Sequence, residues 1–184
     1  MGVKQQPREL REPRRVRSSA VAVILALLGL SALTLGLYAL LAPSAFYTSF
    51  PLGRGWVAMD GPFNEHLVRD FGGLNLALAA ATFAALATMT VAMVRTAAIA
   101  TLLFGVPHLL YHLAHLGMYG AADQIGNVIG LGLPVLGAIV VLVLSRRRTP
   151  GPGTDRGRGR HRRGGGLERA RRAGRDPVRP GRGR

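Results

Sequence analysis

Four apolar blocks, each long enough to cross a bilayer, constrain the fold of this chain more than any other feature of its sequence. An α-helix rises about 1.5 Å per residue, so about 20 residues are needed to cross roughly 30 Å of hydrocarbon. The blocks lie at about residues 18–42, 71–94, 97–119 and 125–144. They predict an all-α fold in which residues 18–145 form a bundle of four transmembrane helices in the lipid bilayer.

The positive charge of the chain is concentrated at its two ends. Residues 1–17 hold six Lys or Arg and two acidic residues, whereas residues 146–184 hold fifteen Arg and three acidic residues. Positive charge beside a transmembrane segment stays in the cytoplasm. We therefore predict a multi-pass protein of the plasma (inner) membrane with both termini cytoplasmic, which an even number of spans permits.

The C-terminal segment, residues 146–184, is a mixture of Arg, Gly and Pro without apolar periodicity. Such a composition cannot bury a core, so we predict a disordered cytoplasmic tail. Both basic ends are expected to attract anionic lipid headgroups. The tail has no aromatic side chains to stack on bases, so nucleic acid is not an expected partner.

Residues 43–70 form the one long connection between apolar blocks. Its aromatic side chains suit the headgroup zone, and we predict that it caps the bundle at the outer membrane surface. Asn64 is a suitable helix N-cap, with Glu65 in the first turn and Arg69 one turn further on. This pattern predicts a Glu65–Arg69 pair and places His66 and Asp70 near the outer end of the second helix.

Small residues recur at every fourth position of the second block, at Gly73, Ala77, Ala81 and Ala85. Helices associate closely in lipid where small residues let two backbones approach. The ridge therefore predicts tight helix packing. Whether the protein also forms a homo-oligomer is left open.

Three histidines, His108, His112 and His115, lie in the third block, where ionisable side chains are costly and usually face a bundle interior. Helical spacing places all three on one face. With the N-terminus inside, polar residues of the neighbouring spans lie at the same depth. We therefore predict a polar pocket in the outer half of the bundle, lined by His108, His112, His115, Tyr111, Asn75, Asn127, His66 and Asp70.

The pocket permits three uses. Histidines one turn apart can share a divalent metal ion, for which His66, Asp70, His112 and His115 are the candidate ligands. The same rings can hydrogen-bond between helices as structural groups, or exchange protons near neutral pH as part of proton-coupled transport. Our leading prediction is binding of a ligand or partner through the pocket, and the cofactor is left open.

Other classes of activity lack support. The chain has no cysteine, which excludes disulfides, thiolate catalysis and iron–sulfur clusters. It also has no Walker loop, dinucleotide fingerprint or zinc-protease motif, so nothing favours a kinase, dehydrogenase or hydrolase. Whether the protein is an enzyme stays open on these grounds.

The layout of the chain adds a resemblance to a known group. The residues that carry it are Gly55, Trp56, Asp60, Gly61, Pro62, Asn64, Glu65, His66, Arg69, Asp70, Pro107, His108, Tyr111 and His112. Over about residues 18–145 the chain resembles small four-helix membrane proteins of actinobacteria and is more distantly similar to the DoxX-like group. The resemblance implies a four-helix membrane fold and, as an alternative function, a metal-dependent or quinone-linked redox enzyme. It carries over no catalytic residue.

Overall fold

The structure, a computed structural model, describes residues 13–146. Most of the basic N-terminal segment and nearly all of the predicted disordered tail lie outside the described residues. Five α-helices occur in the described part, together with short 3₁₀ turns at Val57–Met59 and Leu116–Met118. The helices are α1 Ser19–Leu41, α2 Pro43–Ser49, α3 Glu65–Thr88, α4 Val91–Ala114 and α5 Ala121–Leu144.

Four of these helices, α1, α3, α4 and α5, are long and apolar enough to span a membrane by length and composition. They form an up-down-up-down bundle in which α1 packs mainly on α3 and α4 mainly on α5. The all-α, four-helix prediction is confirmed. We call residues 42–64 the cap and the end of the bundle beneath it the cap end; the opposite end, at the α3–α4 connection, is the turn end.

The helix starts follow local capping chemistry. The side chain of Asn64 accepts a hydrogen bond from the Leu67 amide at 3.2 Å, as the sequence predicts, and Arg69 Nε donates to Glu65 at 2.7 Å. The break between α3 and α4 falls at Met89 and Thr90, earlier than the predicted break near residue 95. Hydropathy does not reveal this break because apolar residues continue through it, whereas Thr90 caps α4.

Glycines bring α1 and α3 into close contact. A Cβ atom at Gly72 would lie 2.8 Å from the backbone nitrogen of Leu40, and one at Gly36 would lie 2.9 Å from the backbone nitrogen of Leu76. The close contact is made by Gly72, one position before the predicted ridge. Gly73 and Ala77, the ridge residues nearer the cap, are exposed.

The turn end is closed by a compact apolar core. Its fully buried side chains come from all four long helices: Val21, Leu25, Ala85, Val94, Ala97, Ala98, Ala138 and Val141. Residues just before α1 seal the same end, since the Val16 amide donates to the Met89 carbonyl at 2.7 Å. The packed core leaves the interior of the bundle free only towards the cap end.

Candidate functional site

A polar joint attaches the cap to the start of α5. Trp56 Nε1 donates to Asp123 Oδ1 at 2.9 Å, and Arg54 Nη1 pairs with the same oxygen at 2.5 Å. The indole lies against Gly126, where a Cβ would come within 2.9 Å of Trp56. The cap is thereby held over the bundle by contacts with a helix that follows it by more than fifty residues in the sequence.

Aromatic side chains fix the other side of the cap. Phe46 is buried and stacks on Phe50 with ring centroids 4.8 Å apart, and it meets Phe71 of α3 at 5.6 Å. The Tyr47 hydroxyl donates to the Gly61 carbonyl at 2.8 Å. These contacts hold the cap in a defined conformation over the bundle. Its position on the outer side of a membrane stays a prediction.

Beneath the cap lies a cavity of about 900 Å³ bounded by all four long helices. Most of its wall is apolar, with Phe71 and Phe104 forming a shelf on one side. Polar or titratable side chains also line it: Ser31, Thr34, Tyr47, Trp56, Asp60, Asn64, Asn75, Thr82, Thr101, His108, His112 and Asn127. A concave, mostly apolar cavity with a few convergent polar groups is typical of small-molecule sites.

The cavity reaches the surface between α1 and α5. These helices touch towards the turn end, where a Cβ at Gly137 would lie 3.2 Å from Ile24. Closer to the cap, exposed residues of both helices line the cavity: Leu27, Leu30, Ser31, Thr34 and Gly130. We call this opening the fissure. A second exposed rim, at Asp60, Asn64 and Leu67, lies directly under the cap.

Of the four predicted histidines, His108 and His112 line the cavity. His108 stacks on Phe104 with centroids 5.2 Å apart, and His112 meets His108 edge-on at 4.8 Å. Within residues 13–146, Nδ1 of His112 is buried without a hydrogen-bond partner. Asn75 and Asn127, also predicted, are buried in the cavity wall.

The other four predicted residues lie outside the cavity. Helix α4 ends at Ala114, so His115 leaves the helical face and its ring bonds back to the Tyr111 carbonyl at 2.8 Å and stacks on that tyrosine. Both side chains are exposed. His66 and Asp70 pair with each other at 3.3 Å on an exposed face of α3.

The candidate metal ligands are therefore not brought together. Of the four, only His112 lines the cavity, while His66 and Asp70 form their own surface pair. No group of three or more His, Asp or Glu side chains suited to a metal ion occurs between residues 13 and 146. The geometry of this part of the chain does not support the metal site suggested by the histidine spacing.

Tyr119 adds a neutral group where α4 leads into α5. Its side chain is buried, and its hydroxyl points to the Trp56 carbonyl at 3.4 Å. Burial, followed by the negative charge of Asp60, raises the pKa of Tyr119 to about 12. The phenol therefore keeps its proton at physiological pH and serves as a donor to the cap.

Comparison of the chain with protein-family models, curated proteins and solved structures finds no match in any of the three. The resemblance to the DoxX-like group stays a prediction. Sequence reasoning named Trp56 and Asp60 only among the residues of the resemblance and missed that both line the cavity. It also missed the joint with Asp123. No local signal marks these roles, because the partners are far apart in the sequence.

Proposed function

We propose that this protein binds a membrane-soluble amphipathic small molecule in the cavity under the cap. The observation that carries the proposal is the cavity itself, about 900 Å³ of space in a bundle whose turn end is fully packed. A volume of several hundred Å³ accommodates a lipid-sized or drug-sized ligand. A bundle that served only as an anchor gains nothing from such a void, since unfilled space costs packing energy.

The fissure supports a ligand that arrives from the bilayer. Its rim on α1 consists of Leu27, Leu30, Ser31 and Thr34, and Gly130 on α5 presents no side chain. These residues lie along the length of helices apolar enough to span the membrane. An apolar tail can therefore pass between α1 and α5 without crossing water.

The packed turn end favours binding over transport. The buried apolar core, which includes Val21 and Val141, lies between the cavity and the turn end. Within residues 13–146 the polar side chains of the cavity therefore do not continue through this core. A proton pathway needs titratable or wet groups along its full length. The transport alternative and the quinone-linked redox alternative both stay predictions, and neither has a specific observation in its favour.

We further propose the plasma membrane as the location, with both termini cytoplasmic and the cap outside. The charge asymmetry of the chain supports this orientation, because the arginines beside α1 and α5 lie at the end opposite the cap. Anionic headgroups would then meet the basic ends on the cytoplasmic face.

Quenching of Trp56 tests the binding proposal. Trp56 is the single tryptophan of the chain and lines the cavity, so a brominated amphiphile bound there quenches its fluorescence. The probe is a dibrominated octadecyl alcohol in phosphatidylcholine vesicles. Gly130→Leu should raise the apparent Kd obtained from the quenching titration about tenfold, because the new side chain fills the opening of the cavity.

Gly132→Leu is the matched control. Gly130 and Gly132 lie on the same helix, neither meets another atom within 4 Å of an added Cβ, and only Gly130 lines the cavity. The control should quench as the unmodified protein does. Equal quenching of all three proteins would show contact with lipid around the bundle and would overturn the proposal.

A further inference from the structure

Several hydrogen-bond donors of the cavity wall are already used inside the protein. Trp56 Nε1 donates to Asp123 and the Tyr47 hydroxyl donates to Gly61. The hydroxyls of Thr34, Thr82 and Thr101 each donate to the carbonyl one turn earlier in their own helix, at 2.9, 2.7 and 3.0 Å. A ligand that needs donors from these side chains would have to break existing bonds.

Two amide side chains of the wall, Asn75 and Asn127, keep an open acceptor. The amide nitrogen of Asn75 donates to the Phe71 carbonyl at 2.9 Å, and that of Asn127 points to the Asp123 carbonyl at 3.4 Å. Each bond orients its amide so that the oxygen stays available, and within residues 13–146 no donor reaches either oxygen. Each of these amide oxygens can accept a hydrogen bond from a ligand that donates one.

The charge of the cavity wall also favours a ligand with a donating or cationic head group. Asp60 is the one Asp, Glu, Lys or Arg among the cavity-lining residues of the described chain. The nearby arginines are used elsewhere, because Arg54 pairs with Asp123, and Arg69 bonds to Glu65 and to the Leu40 carbonyl. A negative group without a compensating cation in the wall attracts cations and disfavours carboxylates and phosphates.

We infer that the ligand is a hydrogen-bond-donating amphiphile, cationic or uncharged, whose head sits among Asp60, Asn75 and Asn127 and whose apolar tail occupies the fissure. This inference rests on the proposed function and adds the chemical class of the ligand. A long-chain amine fits best, because an ammonium group donates three hydrogen bonds and complements Asp60. A long-chain alcohol fits next, and a fatty carboxylate fits worst.

Three brominated octadecyl probes that differ only in the head group test the inference. The amine, the alcohol and the carboxylate are compared by Trp56 quenching in neutral phosphatidylcholine vesicles, with each Kd corrected for the amount of probe in the membrane. The amine should bind at least about tenfold more tightly than the carboxylate. Asp60→Asn should reduce this ratio by about fivefold, since the rim is exposed and screened.

Asp70→Asn is the control for loss of an acidic residue, because Asp70 lies on the exposed face of α3 outside the cavity. It should leave the ratio unchanged. Equal binding of amine and carboxylate, or an unchanged ratio in Asp60→Asn, overturns the inference while leaving the proposed function intact. If none of the probes distinguishes Gly130→Leu from Gly132→Leu, the proposed function itself fails.

Discussion

Asp123 holds one side of the cap against the bundle. One carboxylate oxygen accepts hydrogen bonds from both Arg54 and Trp56, so a single side chain joins two residues of the cap to the first turn of α5. An acidic residue in the first turn of a helix also complements the helix dipole. Its place in the sequence is ordinary for a helix start, and only the fold reveals its partners.

We predict that Asp123→Asn loosens the cap without unfolding the bundle. The neutral amide loses the charge that holds Arg54 and offers one weaker acceptor to the indole, so Trp56 gains contact with solvent. The emission of Trp56 should shift to longer wavelength, and quenching by acrylamide should increase. Far-UV circular dichroism should stay the same, because the four long helices do not depend on this joint.

Asp70→Asn again provides the comparison, since its carboxylate pairs with exposed His66 and does not touch Trp56. Its fluorescence should match that of the unmodified protein. If Asp123→Asn leaves the indole equally protected from acrylamide, the joint does not hold the cap in solution.

Helix α3 shows how two adjacent glycines differ by the face on which they lie. Gly72 is buried where the backbones of α1 and α3 meet, while Gly73 is exposed and a Cβ there would contact nothing within 4 Å. Small residues at such crossings let transmembrane helices gain dispersion and backbone contacts at short distance. The packing of the bundle therefore depends on one glycine of the pair.

Substitution of each glycine by alanine tests this assignment. Gly72→Ala places a methyl group 2.8 Å from Leu40 N, so we expect a loss of about 1–3 kcal/mol in the free energy of unfolding. Gly73→Ala improves helix propensity and should add about 0.5–1 kcal/mol. Unfolding by SDS in mixed micelles, followed by circular dichroism, measures both. Equal values would mean that α1 and α3 do not touch at Gly72.

The lengths of the apolar segments and the capping residues made the helices predictable. The exact ends of the helices and the directions of their side chains were not predictable. The number of long helices follows from hydropathy, and Asn64 marks the start of α3 because its capping chemistry is local. The break at Met89 and Thr90 carries no polar residue strong enough to signal it. His115 was expected on the cavity face, and the termination of α4 one residue earlier turned it away.

The bundle as a whole has a packed apolar core at the turn end and a cavity at the cap end. The turn end is filled by small and branched apolar side chains, whereas aromatic rings and polar groups surround open space at the cap end. That polar residues gather towards one end was predictable from helix direction and rise. The cavity itself was not, because empty space depends on how four helices tilt and meet, which no single segment encodes.

The orientation of this asymmetric bundle in the membrane provides the last prediction. The chain contains no cysteine, so single cysteines can be introduced at exposed positions at the two ends: Arg14→Cys, Ser44→Cys and Arg146→Cys. Because basic ends stay cytoplasmic, a membrane-impermeant maleimide should label Ser44→Cys in intact bacterial cells and label the other two only after permeabilisation. The reverse pattern would place the cap and its cavity rim inside the cell. Labelling of Arg14→Cys and Arg146→Cys from opposite sides would contradict a bundle with an even number of crossings.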